Sequence, residues 1–274
     1  MEGRLIMDSA KIIGIIGGGN MGGGIARGIV NAGVVNPENI IVSDTNPETL
    51  GKLQKSCGVC TTTDNKKLCE QADIIFLAVK PFLLADVIAN VRDYVNADAL
   101  VVSVAAGQTI ERVERLFGRE LHLVRIMPNL GAVVGESMTG YTLNSNVTAE
   151  DREDLVELLS SFGLCEEIAE NLMDVITAVS GSAPAYIATM IDAMADAAVL
   201  NGMPRAKAYK ICEQAMLGTA KYLLETGVTP CALKDMVCTP GGTSIEAVTV
   251  MEREGIRGAI HAGVTACTEK SRSL

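Results

Sequence analysis

The stretch that most constrains the fold of this chain is residues 11–28, which read KIIGIIGGGNMGGGIARG. Four isoleucines surround Gly14 in its first half, and such a short β-branched run is typical of a strand buried on both faces. Gly17, Gly19 and Gly22 follow with G-x-G-x-x-G spacing, and apolar residues then recur at helical spacing. A strand, a glycine turn and a helix in this order predict a dinucleotide-binding unit, because the helix N-terminus offers free N–H groups to a pyrophosphate.

An acidic residue stands where such a unit needs one. Asp44 ends the next predicted strand, residues 39–43, and lies 22 residues after Gly22. A carboxylate at this distance can accept hydrogen bonds from the ribose hydroxyls of an adenosine. The combination of glycine turn and acid therefore indicates a dinucleotide as the cofactor.

Strands and helices alternate through the first part of the chain. Further apolar strands are predicted at residues 58–61, 73–79, 99–104, 121–127 and 164–168. This order predicts an α/β domain with a Rossmann-type parallel sheet covered on both faces. Ligands of such sheets bind beyond the carboxyl ends of the strands, so we expect Asp44 and residues 79–81, 106–107 and 127–129 to line one crevice.

The pattern changes after residue 171, beyond which no strand is predicted. The chain therefore divides into a Rossmann domain that binds NAD(P), residues 1–171, and an all-helical domain, residues 172–274. Several of these helices are apolar around much of their circumference. Because a helical domain of this size cannot bury so much apolar surface alone, we expect at least a homodimer.

Charge and hydropathy exclude other partners. The net charge is −10 and no block of Lys and Arg occurs, which argues against nucleic acid and anionic membranes as partners. The first ten residues carry Glu2, Arg4 and Asp8 without a long apolar core, and no uninterrupted apolar stretch reaches membrane-spanning length. We therefore expect a cytoplasmic protein without a membrane partner.

The cysteines do not form a recognisable metal or redox site. Cys57 and Cys60 match C-x-x-C, but a second pair is missing and the motif does not open a helix after a strand. The two histidines, His122 and His261, lie in no motif. The sequence therefore predicts no metal, no cysteine chemistry and no acid–base catalysis by histidine.

Six segments together resemble the pyrroline-5-carboxylate reductase family. They are IGGGNMG at 16–22, AVKP at 78–81, AAG at 105–107, RIMPN at 125–129, SGSAPAY at 180–186 and TPGGTSIEAV at 239–248. The resemblance covers nearly the whole chain in family order. It implies a Rossmann domain followed by a helical dimerisation domain whose helices interleave between two subunits, and some members stack dimers into decamers. It also implies reduction of 1-pyrroline-5-carboxylate, a small imino acid, to L-proline by NAD(P)H, the last step of proline biosynthesis.

The glycine motif and the resemblance together assign site residues. The coenzyme positions are Gly17, Gly18, Gly19, Asn20, Met21, Gly22, Asp44, Asn65, Val79, Lys80, Pro81 and Ala106. The substrate positions implied by the resemblance are Glu170, Gly242, Thr243 and Ser244, with Ser244 as the catalytic hydroxyl beside the imine nitrogen.

The chain departs from the family pattern in three ways. Ala183 stands where the family usually has Gly, and Ser244 replaces the usual Thr while keeping the hydroxyl. Many members have Asn-Arg where this chain has Asp44 and Thr45, with the Arg on the 2′-phosphate of NADPH. The choice between NADH and NADPH therefore stays open at this stage.

Each assignment has an alternative. The turn at residues 241–244 can be a simple connection between helices, and Ser244 a helix cap. The resemblance implies that the kink at Ser182 and Pro184 faces the nicotinamide, but these residues can also be only the opening of a helix. Lys80 can be a general acid, although coenzyme contact is favoured. A β-hydroxyacid dehydrogenase would need a catalytic lysine in residues 173–200, which contain none. A nucleotide-sensing regulatory dimer is the alternative outside enzymes.

Overall fold

The apolar runs of the sequence form one continuous sheet. The structure, a computed structural model, describes residues 7, 8 and 10–273, so most of the charged N-terminal segment lies outside it. The strands found in this part are β1 (Ile13–Ile16), β2 (Ile40–Ser43), β3 (Cys60–Thr62), β4 (Ile74–Leu77), β5 (Leu100–Ser103), β6 (His122–Met127), β7 (Ser137–Leu143) and β8 (Gly163–Glu167). Their order across the sheet is β3-β2-β1-β4-β5-β6-β7-β8.

The last two strands run against the others. Strands β1 to β6 pair in parallel, as predicted, but β7 pairs antiparallel with β6, and β8 pairs in parallel with β7. The sequence analysis did not predict β7 at all. Its sequence SMTGYTL contains no continuous apolar run, and Ser137, Thr139 and Thr142 are buried nonetheless. The hydroxyls of Ser137 and Thr139 lie 3.3 Å apart and pair with each other, which makes their burial tolerable.

The helices follow the predicted order closely. They are α1 (Asn20–Ala32), α2 (Pro47–Cys57), α3 (Asn65–Gln71), α4 (Leu84–Val91), α5 (Ile110–Phe117), α6 (Ala149–Ser160), α7 (Met173–Ile176), α8 (Ala183–Leu200), α9 (Arg205–Thr226), α10 (Pro230–Val237), α11 (Thr243–Arg253) and α12 (Ile256–Arg272). Local caps explain several starts. The Asp64 carboxylate accepts from two backbone N–H groups of α3, and Thr148 and Asp151 form a capping box at α6.

Helices cover both faces of the sheet. On one face Ile15 and Phe76 of the strands pack in a core with buried residues of α1, α2 and α6. On the other face Ile75 and Leu77 pack with residues of α3, α4 and α5. Consecutive strand residues thus point to opposite faces, and full burial of each such side chain contributes about 1.5–3 kcal/mol.

The chain separates into two units. The first comprises Met1–Ser182 and Cys267–Leu274, and the second comprises Ala183–Ala266. The first unit therefore contains the whole sheet together with the end of α12. The buried core of the second unit, described throughout, consists only of Ala195, Ala208 and Cys212, whereas Leu200, Leu224 and other large apolar side chains are exposed.

One helical stretch has the length and composition of a membrane span. Glu170–Leu200 contains 31 residues, its most apolar window has a mean hydropathy of 1.3, and 6% of that window is buried. Acidic residues such as Asp174 and Asp192 interrupt it, so it does not contradict the expectation that no uninterrupted apolar stretch reaches this length. By itself it is a weak indication, because the core helices of many proteins have the same composition. A π-helical turn, Thr177–Gly181, also interrupts it.

Candidate functional site

A large cavity opens at the carboxyl ends of the parallel strands. Its volume is about 810 Å³, within the usual range for cofactor sites. The predicted coenzyme positions that line it are Gly17, Gly19, Asn20, Met21, Asp44, Asn65, Val79, Lys80, Pro81 and Ala106. Gly18 and Gly22 are not among the lining residues. All of these positions belong to the first unit.

The glycine turn is shaped by close contacts. Gly17 has φ +104°, a conformation that favours glycine, and its N–H donates to the Ser43 carbonyl at 2.8 Å. A Cβ on Gly22 would lie 1.9 Å from the Gly17 carbonyl oxygen, so only glycine fits there. Gly19 faces open space and, as the N-cap of α1, has no side chain to bond the first N–H groups. These N–H groups fit the pyrophosphate of a dinucleotide.

Asp44 is held rigidly beside this turn. Its Oδ2 accepts a hydrogen bond from the Gly18 N–H at 2.8 Å, and its Oδ1 accepts one from the Asn46 N–H at 2.8 Å. Gly18 therefore contributes by fixing the carboxylate instead of lining the cavity. Each carboxylate oxygen keeps a further lone pair, so Asp44 can still accept from ribose hydroxyls.

Lys80 and Asp44 are the charged residues on the cavity lining. Lys80 is exposed and makes no ion pair with any residue in the described part of the chain. Its position immediately before the 3₁₀ turn Pro81–Leu83 places it at the end of the central strand β4. A free ammonium at this point is suited to phosphate contact, which favours the coenzyme role over the general-acid role.

The other lining residues come from segments distant in sequence. They include Met127, Pro128 and Asn129 after β6, as expected, and also Leu130, Ala132, Val133, Thr177, Gly181 and Ser182. The Asn129 amide donates to the Ser180 hydroxyl at 3.1 Å, which in turn donates to the Met138 carbonyl at 3.0 Å. These two hydrogen bonds hold the π-helical turn against the sheet. Thr177, Leu130, Ala132 and Val133 were not predicted from the sequence, because a single π turn and a short 3₁₀ helix leave no periodic pattern.

The predicted substrate residues lie in both units. Glu170 belongs to the first unit, where its Oε1 accepts from the Ile110 N–H at 2.7 Å and from Arg125 Nη1 at 3.3 Å. Gly242, Thr243 and Ser244 belong to the second unit, at the start of α11. The N-cap there is Gly242, so the alternative interpretation of Ser244 as the helix cap is wrong.

The turn before α11 exposes backbone donors. The Gly242 N–H donates to the Thr239 carbonyl at 3.0 Å, and Gly241 has φ +69° after Pro240, the geometry of a type II turn. Gly242 offers no side chain to cap the helix. Within the residues that the structure describes, the Ser244 hydroxyl has no hydrogen-bond partner, so donors and hydroxyl are available to a small anion.

The cysteines are all free and lie in the described part. Cys57 is buried at the end of α2, where its thiol donates to the Leu53 carbonyl, whereas Cys60 is exposed. Burial raises the pKa of the Cys69 thiol to about 12, which keeps it protonated. Among the described residues no group of three or more His, Cys, Asp or Glu could hold a metal ion. The expected absence of metal and cysteine chemistry stays a prediction.

Two family descriptions match this chain. One, pyrroline-5-carboxylate reductase dimerisation, covers residues 170–274. The other, NADP oxidoreductase coenzyme F420-dependent, covers residues 12–107 and hence the glycine turn. The two matches correspond to the helical part of the chain and to the first half of the sheet.

Known proteins resemble the chain over its full length. A pyrroline-5-carboxylate reductase of Escherichia coli (strain K12) is 46% identical over 264 residues, covering 96% of this chain and 98% of the relative. The enzyme of the same name from Methanosarcina acetivorans is 41% identical over 268 residues, which cover 98% of this chain and 99% of the relative. The crystal structure of Plasmodium falciparum pyrroline carboxylate reductase with NADP bound superposes with a TM-score of 0.89 at 30% identity, covering 97% and 99%.

Proposed function

Because this chain belongs to the pyrroline-5-carboxylate reductase family, we propose that its cavity holds NAD(P)H, and we carry over from the family resemblance Glu170 in the first unit and residues 242–244 in the second unit as substrate residues. The enzyme reduces 1-pyrroline-5-carboxylate to L-proline, the last step of proline biosynthesis. The observation that carries the assignment of the coenzyme site is the cavity at the strand ends, lined by the glycine turn, Asp44 and Lys80, whereas Glu170 and residues 242–244 are not on its lining.

The coenzyme position follows from the donors and charges of the first unit. The pyrophosphate lies against the uncapped N-terminus of α1, where Gly19 leaves room for it. Asp44 accepts from the adenosine ribose, and Lys80 offers its charge to a phosphate. The nicotinamide then lies towards Asn129 and the π-helical turn Thr177–Gly181, which close the far end of the cavity.

In the proposed reaction the protein binds and orients the substrate. The substrate carboxylate takes the free N–H groups at the start of α11, and the Ser244 hydroxyl lies beside the imine nitrogen. Glu170 complements the positive charge of the protonated imine. NAD(P)H, when bound, supplies a hydride to the imine carbon, and the C=N electron pair becomes the lone pair of the amine. The side chains orient the imine and favour its protonated form, which accepts a hydride more readily than the neutral imine.

The alternatives are less well supported. A hydroxyacid dehydrogenase of similar plan would require a lysine in residues 173–200, and the sequence has none. A regulatory protein that only senses nucleotides would bind NAD(P)H without consuming it when the pyrroline is added. A spectrophotometric assay of NADH and NADPH oxidation with pyrroline-5-carboxylate therefore tests the proposal directly.

Coenzyme choice is expected to depend on Asp44. Its carboxylate repels a 2′-phosphate by about 1 kcal/mol in water and about 4 kcal/mol near a protein surface at 4 Å. We therefore expect NADH to serve at least as well as NADPH. Asp44→Asn keeps an acceptor for the Gly18 N–H but removes the charge, and should raise the NADPH/NADH ratio of kcat/KM by about ten-fold or more. If the wild-type enzyme strongly prefers NADPH, and if Asp44→Asn leaves that preference unchanged, other groups bind the 2′-phosphate.

The helical part, residues 172–274, is proposed to form a homodimer or a larger homo-oligomer. The match to a dimerisation domain over residues 170–274 supports this, as do the small core of the second unit and its exposed apolar side chains. In this proposal a second subunit, instead of lipid, covers the apolar stretch Glu170–Leu200.

The oligomer is testable without detergent. Light scattering of the purified enzyme at micromolar concentration should give at least twice the mass of one chain, 28.8 kDa. Leu224→Glu, which places a charge on a side chain that is 73% exposed in the single chain, should weaken the assembly, whereas Glu225→Gln on the same turn serves as control. An active wild-type monomer would contradict the proposal.

A cytoplasmic location is part of the same proposal and is supported by the free cysteines.

A further inference from the structure

A buried guanidinium lies directly behind the proposed substrate residue Glu170. Arg125, in β6, is 2% exposed, and its Nη1 donates to Glu170 Oε1 at 3.3 Å. Its Nη2 lies 3.9 Å from Asp174 Oδ1, and its Nε has no hydrogen-bond partner in the described part of the chain. Burying a cation with incomplete hydrogen bonding costs free energy, so fold stability alone is a poor reason for an arginine here.

Glu170 is held by one of its two carboxylate oxygens. Oε1 receives both the Arg125 guanidinium and the Ile110 N–H at the start of α5. Oε2 makes no hydrogen bond or ion pair with any residue that the structure describes, and the side chain is 35% exposed. One oxygen is thus fixed from inside the unit, and the other is left for a ligand.

The arginine is itself oriented by a second carboxylate. Asp174 Oδ1 accepts a hydrogen bond from the Ser271 hydroxyl at 2.6 Å, and Ser271 is buried near the end of α12. The planar guanidinium reaches both Glu170 and Asp174, which a lysine ammonium cannot do with the same geometry. The arrangement therefore depends on an arginine and not only on a positive charge.

We infer that Arg125 is a positioning residue for substrate binding, which fixes Glu170 so that Oε2 meets the protonated imine of the pyrroline. The inference rests on the proposed role of Glu170 as a substrate residue. Arg125 touches neither substrate nor coenzyme in this arrangement and acts through Glu170. Loss of the guanidinium leaves Oε1 held only by the Ile110 N–H, so the direction of Oε2 is less restricted, and substrate affinity falls while coenzyme affinity does not.

The first experiment separates the two affinities. Arg125→Lys keeps the charge and is the variant expected to fold, and Arg125→Met removes the charge. Arg125→Lys should raise KM for the pyrroline by about ten-fold, with KM for the coenzyme unchanged. Lys11→Met is the matched control, because Lys11 of the same unit forms a part-buried ion pair with Asp154 and an exposed one with Glu150. It should lower the melting temperature and leave both KM values unchanged.

A double-mutant cycle with Glu170→Gln decides whether Arg125 acts through Glu170. The effect of Arg125→Lys on substrate KM should vanish in the Glu170→Gln background, since the fixed oxygen has lost its role. Two outcomes would overturn the inference and leave the proposed site intact. One is that the effects of the two substitutions on substrate KM are additive. The other is that Glu170→Gln impairs the enzyme while Arg125→Lys has the wild-type substrate KM. Wild-type substrate KM in Glu170→Gln alone would instead overturn the proposed role of Glu170 and the inference with it.

Discussion

Gly22→Ala is expected to abolish coenzyme binding and to lower the free energy of unfolding by about 3 kcal/mol. The added Cβ would lie 1.9 Å from the Gly17 carbonyl oxygen and 3.1 Å from a side-chain carbon of Ile15. Both neighbours belong to the strand and turn that shape the phosphate site, so backbone must move to make room. Denaturant unfolding and coenzyme titration by fluorescence measure the two effects on the same protein.

Substitutions at two other glycines distinguish an effect on stability from an effect on coenzyme binding. Gly51→Ala lies within α2 with nothing within 4 Å of the added carbon, and should be neutral or stabilising by about 0.5–1 kcal/mol. Gly19→Ala also meets no protein atom, but its methyl group would occupy the space of the pyrophosphate. Because alanine is a poorer N-cap than glycine, it should lower the free energy of unfolding by about 1 kcal/mol at most, far less than Gly22→Ala, and should lose coenzyme affinity. A Gly22→Ala variant with wild-type stability and coenzyme affinity would show that the turn is not held as described.

Ser244→Ala is expected to lower kcat/KM for the pyrroline by about ten- to a hundred-fold. A hydrogen bond to a charged group in a desolvated site contributes roughly 1.5–3 kcal/mol, and the serine hydroxyl is proposed to lie beside the imine nitrogen. Because Gly242 is the N-cap of α11, the truncation should not destabilise the helix. Steady-state kinetics with each substrate varied, together with thermal unfolding, measure both consequences.

The controls for Ser244 are on the same helix. Ser244→Thr keeps the hydroxyl and should retain most activity. Thr249→Ala removes an exposed hydroxyl that bonds only to the Ile245 carbonyl one turn earlier, and should leave kcat/KM unchanged. Coenzyme affinity should stay at the wild-type level in all three variants. Full turnover in Ser244→Ala would remove this residue from the proposed site.

The sequence by itself determined the elements that depend on local patterns. The run from Ile13 to Ile16, the glycine spacing and the apolar repeat of α1 are short-range features, and the structure has the strand, turn and helix at these positions. Caps such as Asp64 and Thr148 are equally local, since each bonds the backbone two or three residues ahead. The family resemblance also predicted the reaction, and the relatives that match nearly the whole chain confirm this prediction.

Only the tertiary structure decided the features that arise between distant segments. Strand β7 has no apolar run of its own and is a strand because β6 and β8 pair with it on both sides. The link from Gly18 to Asp44 spans 26 positions, and the link from Arg125 to Glu170 spans 45. The energy of such contacts depends on burial and on partners that no local pattern encodes. For that reason the sequence named Glu170 as a site residue, and only the folded chain disclosed the arginine behind it.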